Sequence, residues 1–173
     1  MTRSYSAALP IAYVLLRLLV LLNWFAGAAI LALLLIMPNE RWIMSAFDLS
    51  PGAEAERIVT GLRAIASIGI VTIPINHLIL KRLLAMVATV RCGDPFIAAN
   101  AYRLNEIAWL LLALQLLGLV VAGIVNAIST EARPIDIDAG TSPAGWLAVL
   151  LTFVLARVFA EGALMREELE GTI

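Results

Sequence analysis

The sequence specifies an all-α integral membrane protein, a four-helix bundle with both termini cytoplasmic and helices two and three extended into a cytoplasmic hairpin. Three observations lead there. Of 173 residues, 62% are apolar, against roughly 45–50% in a soluble domain. Only 14% are charged and the mean hydropathy is +0.95. A soluble chain of this length has too much surface for its volume to hide that much apolar area. Third, the apolar residues fall in four runs, each near the roughly 20 residues a helix needs to cross hydrocarbon. These facts, with a net charge of −1, exclude a soluble domain, a disordered chain and a basic nucleic-acid-binding face. The partner of the chain as a whole is the lipid bilayer, and no direct nucleic-acid binding is expected.

The first span runs from Ile11 to Met37, bracketed by Pro10 and Pro38, with Arg17 its only charge. It is much longer than the roughly 7–15-residue core of a signal peptide, so Ala26-Gly27-Ala28 is read as part of a retained span and not as a cleavage site. The second span covers about Ile58 to Leu80, with Arg63 near its start. The third, Ile107 to Thr130, carries no charge, and the fourth runs from about Pro143 to Met165 with Arg157 and Glu161 near its end.

Helix starts are marked by one repeated pattern. Ser50-Pro51, Asp94-Pro95 and Ser142-Pro143 each place an N-cap side chain before a proline, which has no amide to leave unpaired. Glu54 and Glu56 suit the positive end of the second helix. Gly93 is the natural stop before Asp94. Helix two is therefore predicted over about Pro51–Arg91 and helix three over Pro95 to about Ile128. Both overrun the bilayer, and residues 81–106 form a hairpin with its tip at Cys92-Gly93. That hairpin either protrudes by roughly 15 Å or lies on the interface. With no repeat, low-complexity tract or linker, residues 1–173 read as a single transmembrane domain.

Orientation follows from basic residues. Arg3, Arg17, Lys81, Arg82, Arg91, Arg103, Arg157 and Arg166 share the side of the termini and hairpin. Only Arg41, Arg57, Arg63 and Arg133 lie opposite, together with seven acids. The positive-inside rule then places the termini and hairpin in the cytoplasm, as in a multi-pass protein of a bacterial inner membrane.

The segments Gly-Asp-Pro-Phe-Ile-Ala-Ala-Asn-Ala-Tyr-Arg-Leu (93–104) and Val-Phe-Ala-Glu-Gly-Ala-Leu-Met-Arg-Glu-Glu-Leu-Glu-Gly-Thr-Ile (158–173) resemble the bacterial four-span membrane proteins of domain-of-unknown-function family 2975. The resemblance covers the second half in sequence and the first half in topology. It implies a fold and no catalytic residues. It further implies pairing with a small cytoplasmic helix-turn-helix regulator, and so a membrane-bound sensor or anti-regulator. In that reading Arg91, Asp94, Phe96 and Arg103 on the hairpin are the candidate partner-binding residues.

Ionisable groups inside spans are candidates for function because they are expensive there. Arg17, Arg157 and Glu161 fall at similar depth to Asn76, His77 and Glu106, and a bundle could join all six into one polar layer. Arg157 and Glu161 lie four apart and share a helix face. The competing reading is that both arginines snorkel to headgroups while Glu161 pairs locally, which their nearness to the interface favours. Asn23 and Gln115 lie near mid-span, where amides bond across helices for about 0.6 kcal/mol each. Pro74 is expected to kink helix two. His77 is a residue type that senses pH, though a lone histidine near a helix end more often has a structural place.

One His and one Cys are too few for a closed zinc site of about four ligands, and no cofactor or other metal is implied. An intramembrane enzyme would need a nucleophile beside a base; His77 has no Ser or Asp near it, so an enzyme is not expected. A small transporter or channel subunit, as a homo-oligomer, is the alternative to the tethering role.

Overall fold

The computed structural model describes residues 8–36, 45, 52–129 and 142–170. Among them are four long helices and no strand: α1 (Ala8–Ile36), α2 (Ala53–Arg91), α3 (Ala98–Ile128) and α4 (Pro143–Glu170). All four are long and apolar enough to cross a membrane, so the chain is a multi-pass membrane protein of four helices. At 1.5 Å per residue, the 39 residues of α2 measure about 58 Å, nearly twice the hydrocarbon thickness.

The helices pack in chain order. α1 lies against α2, α2 against α3, and α3 against α4, while α1 and α4 make no contact among the described residues. Each contact is antiparallel and keeps one register along its length. Between α1 and α2, Asn23 Nδ2 donates to the Ile73 carbonyl at 3.1 Å, and Trp24 meets the His77 ring edge-on at 5.4 Å. α2 and α3 are close enough at their far end that a Cβ on Gly61 would fall 2.5 Å from Ile128 Cγ2. There Arg57 donates to the Ala127 carbonyl at 2.8 Å, placing a cation at the negative end of α3. Between α3 and α4, Trp109 packs edge-on to Phe153 at 5.3 Å, and the buried Gln115 lies directly against Gly145.

Two of the three proline signals are testable on the described residues. Ser142 Oγ accepts from the Gly145 amide at 3.3 Å, and α4 begins at Pro143 as expected. The Asp94-Pro95 expectation is corrected: α3 begins at Ala98, with Ile97 extended before it and no side-chain cap. Asp94 lies three residues before the N-cap position, Ile97, and its carboxylate pairs with Arg166 of α4 instead. Ser50-Pro51 lies outside the described residues, as do Arg3, Arg41, Arg133 and the loop acids Glu40, Asp48, Glu131, Asp136 and Asp138. α1 starts two residues before Pro10, which is tolerated because amides of the first turn have no partner within the helix. α2 continues through Pro74 without interruption.

The C-terminal end of α2 is closed by Gly93. Its φ of 89° lets the Gly93 amide reach the Val90 carbonyl at 3.1 Å and the Asp94 amide reach Thr89 at 3.1 Å. This is the Schellman pattern, which needs a left-handed residue that glycine supplies without steric cost.

Candidate functional site

The turn between α2 and α3 is the most elaborated polar region of the described chain. Asn100, on the first turn of α3, is completely buried. Its Nδ2 donates to Thr89 Oγ1 at 2.8 Å and to the Pro95 carbonyl at 2.9 Å, while its Oδ1 accepts from Arg103 at 2.7 Å. Thr89 in turn donates to the Met86 carbonyl at 2.7 Å. One amide therefore holds the end of α2, the connecting turn and the start of α3. A buried amide satisfied on both ends is favourable, whereas the same group unpaired is costly.

The turn is then fixed to α4. Asp94 Oδ1 accepts from Arg166 at 2.6 Å. The Phe96 ring packs on Phe159 with centroids 5.1 Å apart and sits over Gly162, where a Cβ would fall 2.9 Å from Phe96 Cδ1. Positions 159, 162 and 166 lie at helical spacing on one face of α4. The hairpin consequently does not stand alone: its tip is flanked by α4 on one side and, through Arg91, by the start of α1 on the other.

The hairpin residues singled out from the sequence are thus all engaged within the chain. Arg91 lies over the Tyr13 ring at 5.4 Å, Arg103 on Asn100, Asp94 on Arg166 and Phe96 on Phe159. Phe96 remains 44% exposed, and Cys92 is exposed at the tip.

The six candidates for a polar layer fall into separate groups. Arg17 lies over Tyr13 at 4.7 Å. Arg82 pairs with Glu106, its Nη2 donating to Oε1 at 3.0 Å and its Nε lying 2.7 Å from Oε2. Arg157 and Glu161 pair with each other at 2.5 Å on the exposed face of α4, which is the local pairing expected from their spacing. Asn76 and His77 are half-buried on α2, and His77 Nδ1 is buried without a hydrogen bond among the described residues. The contacts bring Arg82 and Glu106 together and seat His77 beside Trp24, seven residues further along α1 than Arg17. What is missing is lateral joining, because α1 and α4 occupy opposite ends of the row of helices.

Sequence reasoning overlooked Tyr13, Thr89, Asn100, Phe159, Gly162 and Arg166 as site residues. For the α4 group a signal existed, namely a Phe, a Gly and an Arg spaced three and four apart opposite a Gly-Asp-Pro-Phe turn. For Tyr13 there was none, because nothing local to residue 13 announces Arg91.

Four antiparallel spans with a polar, internally bonded turn at one end define a small helical membrane protein whose distinctive chemistry lies at that turn. Residues 40–173 match the family described as "Protein of unknown function (DUF2975)", and the chain belongs to that family. The two segments through which the sequence resembles the family are the ones packed together here by Asp94–Arg166 and Phe96–Phe159. No curated protein and no solved structure matches the chain.

Proposed function

We propose that this protein is a non-catalytic sensor or anti-regulator of a bacterial inner membrane that tethers a small cytoplasmic helix-turn-helix transcription regulator through its α2–α3 hairpin. One observation carries the proposal: the hairpin turn is bonded to the terminal half of α4 by Asp94–Arg166 and Phe96–Phe159. A shift of α4 within the membrane is thereby transmitted to the turn. Displacing these contacts frees the Asp94 carboxylate and the Phe96 ring, two groups able to recognise a soluble partner. The protein would hold or release the regulator according to whether the turn is bonded to α4.

The test is crosslinking from Cys92 in intact cells. A supporting result is a covalent adduct with a soluble DNA-binding protein whose yield changes several-fold in Arg166→Ala. Adducts only with membrane proteins, or a yield indifferent to Arg166, would sink the proposal. The transporter alternative has less support, because Arg17 lies over Tyr13, the Arg82–Glu106 pair joins α2 to α3 and the Arg157–Glu161 pair lies on the exposed face of α4, with no contact among the described residues linking the three.

A further inference from the structure

Tyr13, Arg17 and Arg91 form a group distinct from the hairpin-to-α4 contacts. Two guanidiniums from two helices converge on one ring, at 4.7 Å and 5.4 Å from its centroid. They are therefore no more than about 10 Å apart. Arg82, Arg157 and Arg166 are each paired with a carboxylate, and no ion pair among the described residues brings one to Arg17 or Arg91. Like charges this close repel, and the electron-rich face of the tyrosine offsets that only in part.

The depth of the group matters as much as its charge. Tyr13 lies five residues into α1, about 8 Å from the start of a helix long and apolar enough to span the membrane, and so toward the membrane edge when α1 spans a ~30 Å hydrocarbon core. Tyrosine is favoured at that level, where the bilayer presents phosphates. Arg17 is exposed and α1 packs against α2 alone, so this corner is open to lipid.

We infer that Tyr13, Arg17 and Arg91 are a binding site for the phosphate of an anionic phospholipid. Each guanidinium offers a planar fork of donors suited to phosphate oxygens. The tyrosine holds both forks in place and its ring edge lies beside the first carbons of the acyl chains. A bound lipid would bridge α1 to the end of α2.

The site is tested with full-length protein in detergent, titrated with phosphatidylglycerol, phosphatidylcholine or inorganic phosphate and followed by native mass spectrometry. The wild type is expected to retain phosphatidylglycerol in preference to phosphatidylcholine. Arg17→Gln and Arg91→Gln should each weaken that retention about tenfold, and Arg157→Gln, on the other edge helix, should leave it unchanged. The double variant Arg17→Lys/Arg91→Lys keeps the charge and should keep part of the preference, which separates loss of the site from loss of the fold. Equal retention by wild type and the glutamine variants would overturn the site. So would competition by inorganic phosphate as effective as that of the lipid, since the site would then be one for a soluble anion.

Discussion

Asp94 and Arg166 lie 72 positions apart in sequence and 2.6 Å apart in space, joining the α2–α3 turn to the last turns of α4. Two turns earlier along α4, Phe159 takes the face of Phe96. A charged contact and an aromatic one thus fasten the same six-residue connection, 92–97, and between them Gly162 leaves room for the ring. α3 starts at Ala98, after the extended Ile97, so both of these side chains belong to the connecting turn.

Both members of the Asp94–Arg166 pair are about half exposed, so its contribution to stability is small, about 0.2–1 kcal/mol. Its role is position. Asp94→Arg and Arg166→Asp singly should each loosen the turn, read as faster alkylation of Cys92 by a maleimide. The combined exchange should restore much of the wild-type rate. If the double variant reacts as fast as the singles, the two side chains do not act as a pair.

Gly162→Ala tests the aromatic contact. The new methyl would meet Phe96 Cδ1 at 2.9 Å and Cε1 at 3.4 Å, and the ring cannot retreat freely because Phe159 backs it. Overpacking of this kind costs about 1–3 kcal/mol, measurable as a lower midpoint of thermal unfolding in detergent. In a Phe96→Ala background the same substitution should be nearly neutral. An equal cost in both backgrounds would place the strain elsewhere.

Asn100→Leu should be the most damaging change at the turn. It fills the same buried space but leaves the Pro95 carbonyl and Arg103 without their present partner, at about 1–3 kcal/mol. Arg103→Ala removes a single half-buried partner and should cost less. The ordering, read from unfolding midpoints, is the prediction; Arg103→Ala proving the costlier would show that the amide is not the centre of the network.

Helix number and the hairpin were legible because length, apolar runs and the Gly93 stop are local properties. Helix faces were not. In a bilayer the lipid side of a helix is as apolar as the protein side, so the periodicity that marks a buried face in water is weak here. Hence the separation of Arg17, Glu106 and Arg157 by the row of helices could not be read. Asp94-Pro95 failed as a cap for a related reason. Local sequence showed a side chain fit to cap, and only the fold shows that Arg166 claims it. The mid-span amides fared better, since Asn23 and Gln115 sit at helix contacts as expected.

The exposed thiol of Cys92 also reports which way the protein faces. The basic residues, eight expected on its side and four opposite, predict by the positive-inside rule that the hairpin and both termini face the cytoplasm. Of these, Arg82, Arg91 and Arg166 each contact a neighbouring helix or the turn near that end. A membrane-impermeant maleimide should therefore leave Cys92 unlabelled in intact cells and label it once the membrane is opened. A serine-to-cysteine probe at Ser142, at the opposite end of the molecule before α4, should behave in reverse in a Cys92→Ala background. Labelling of Cys92 in intact cells would invert the topology, and with it any role for the hairpin toward a cytoplasmic regulator.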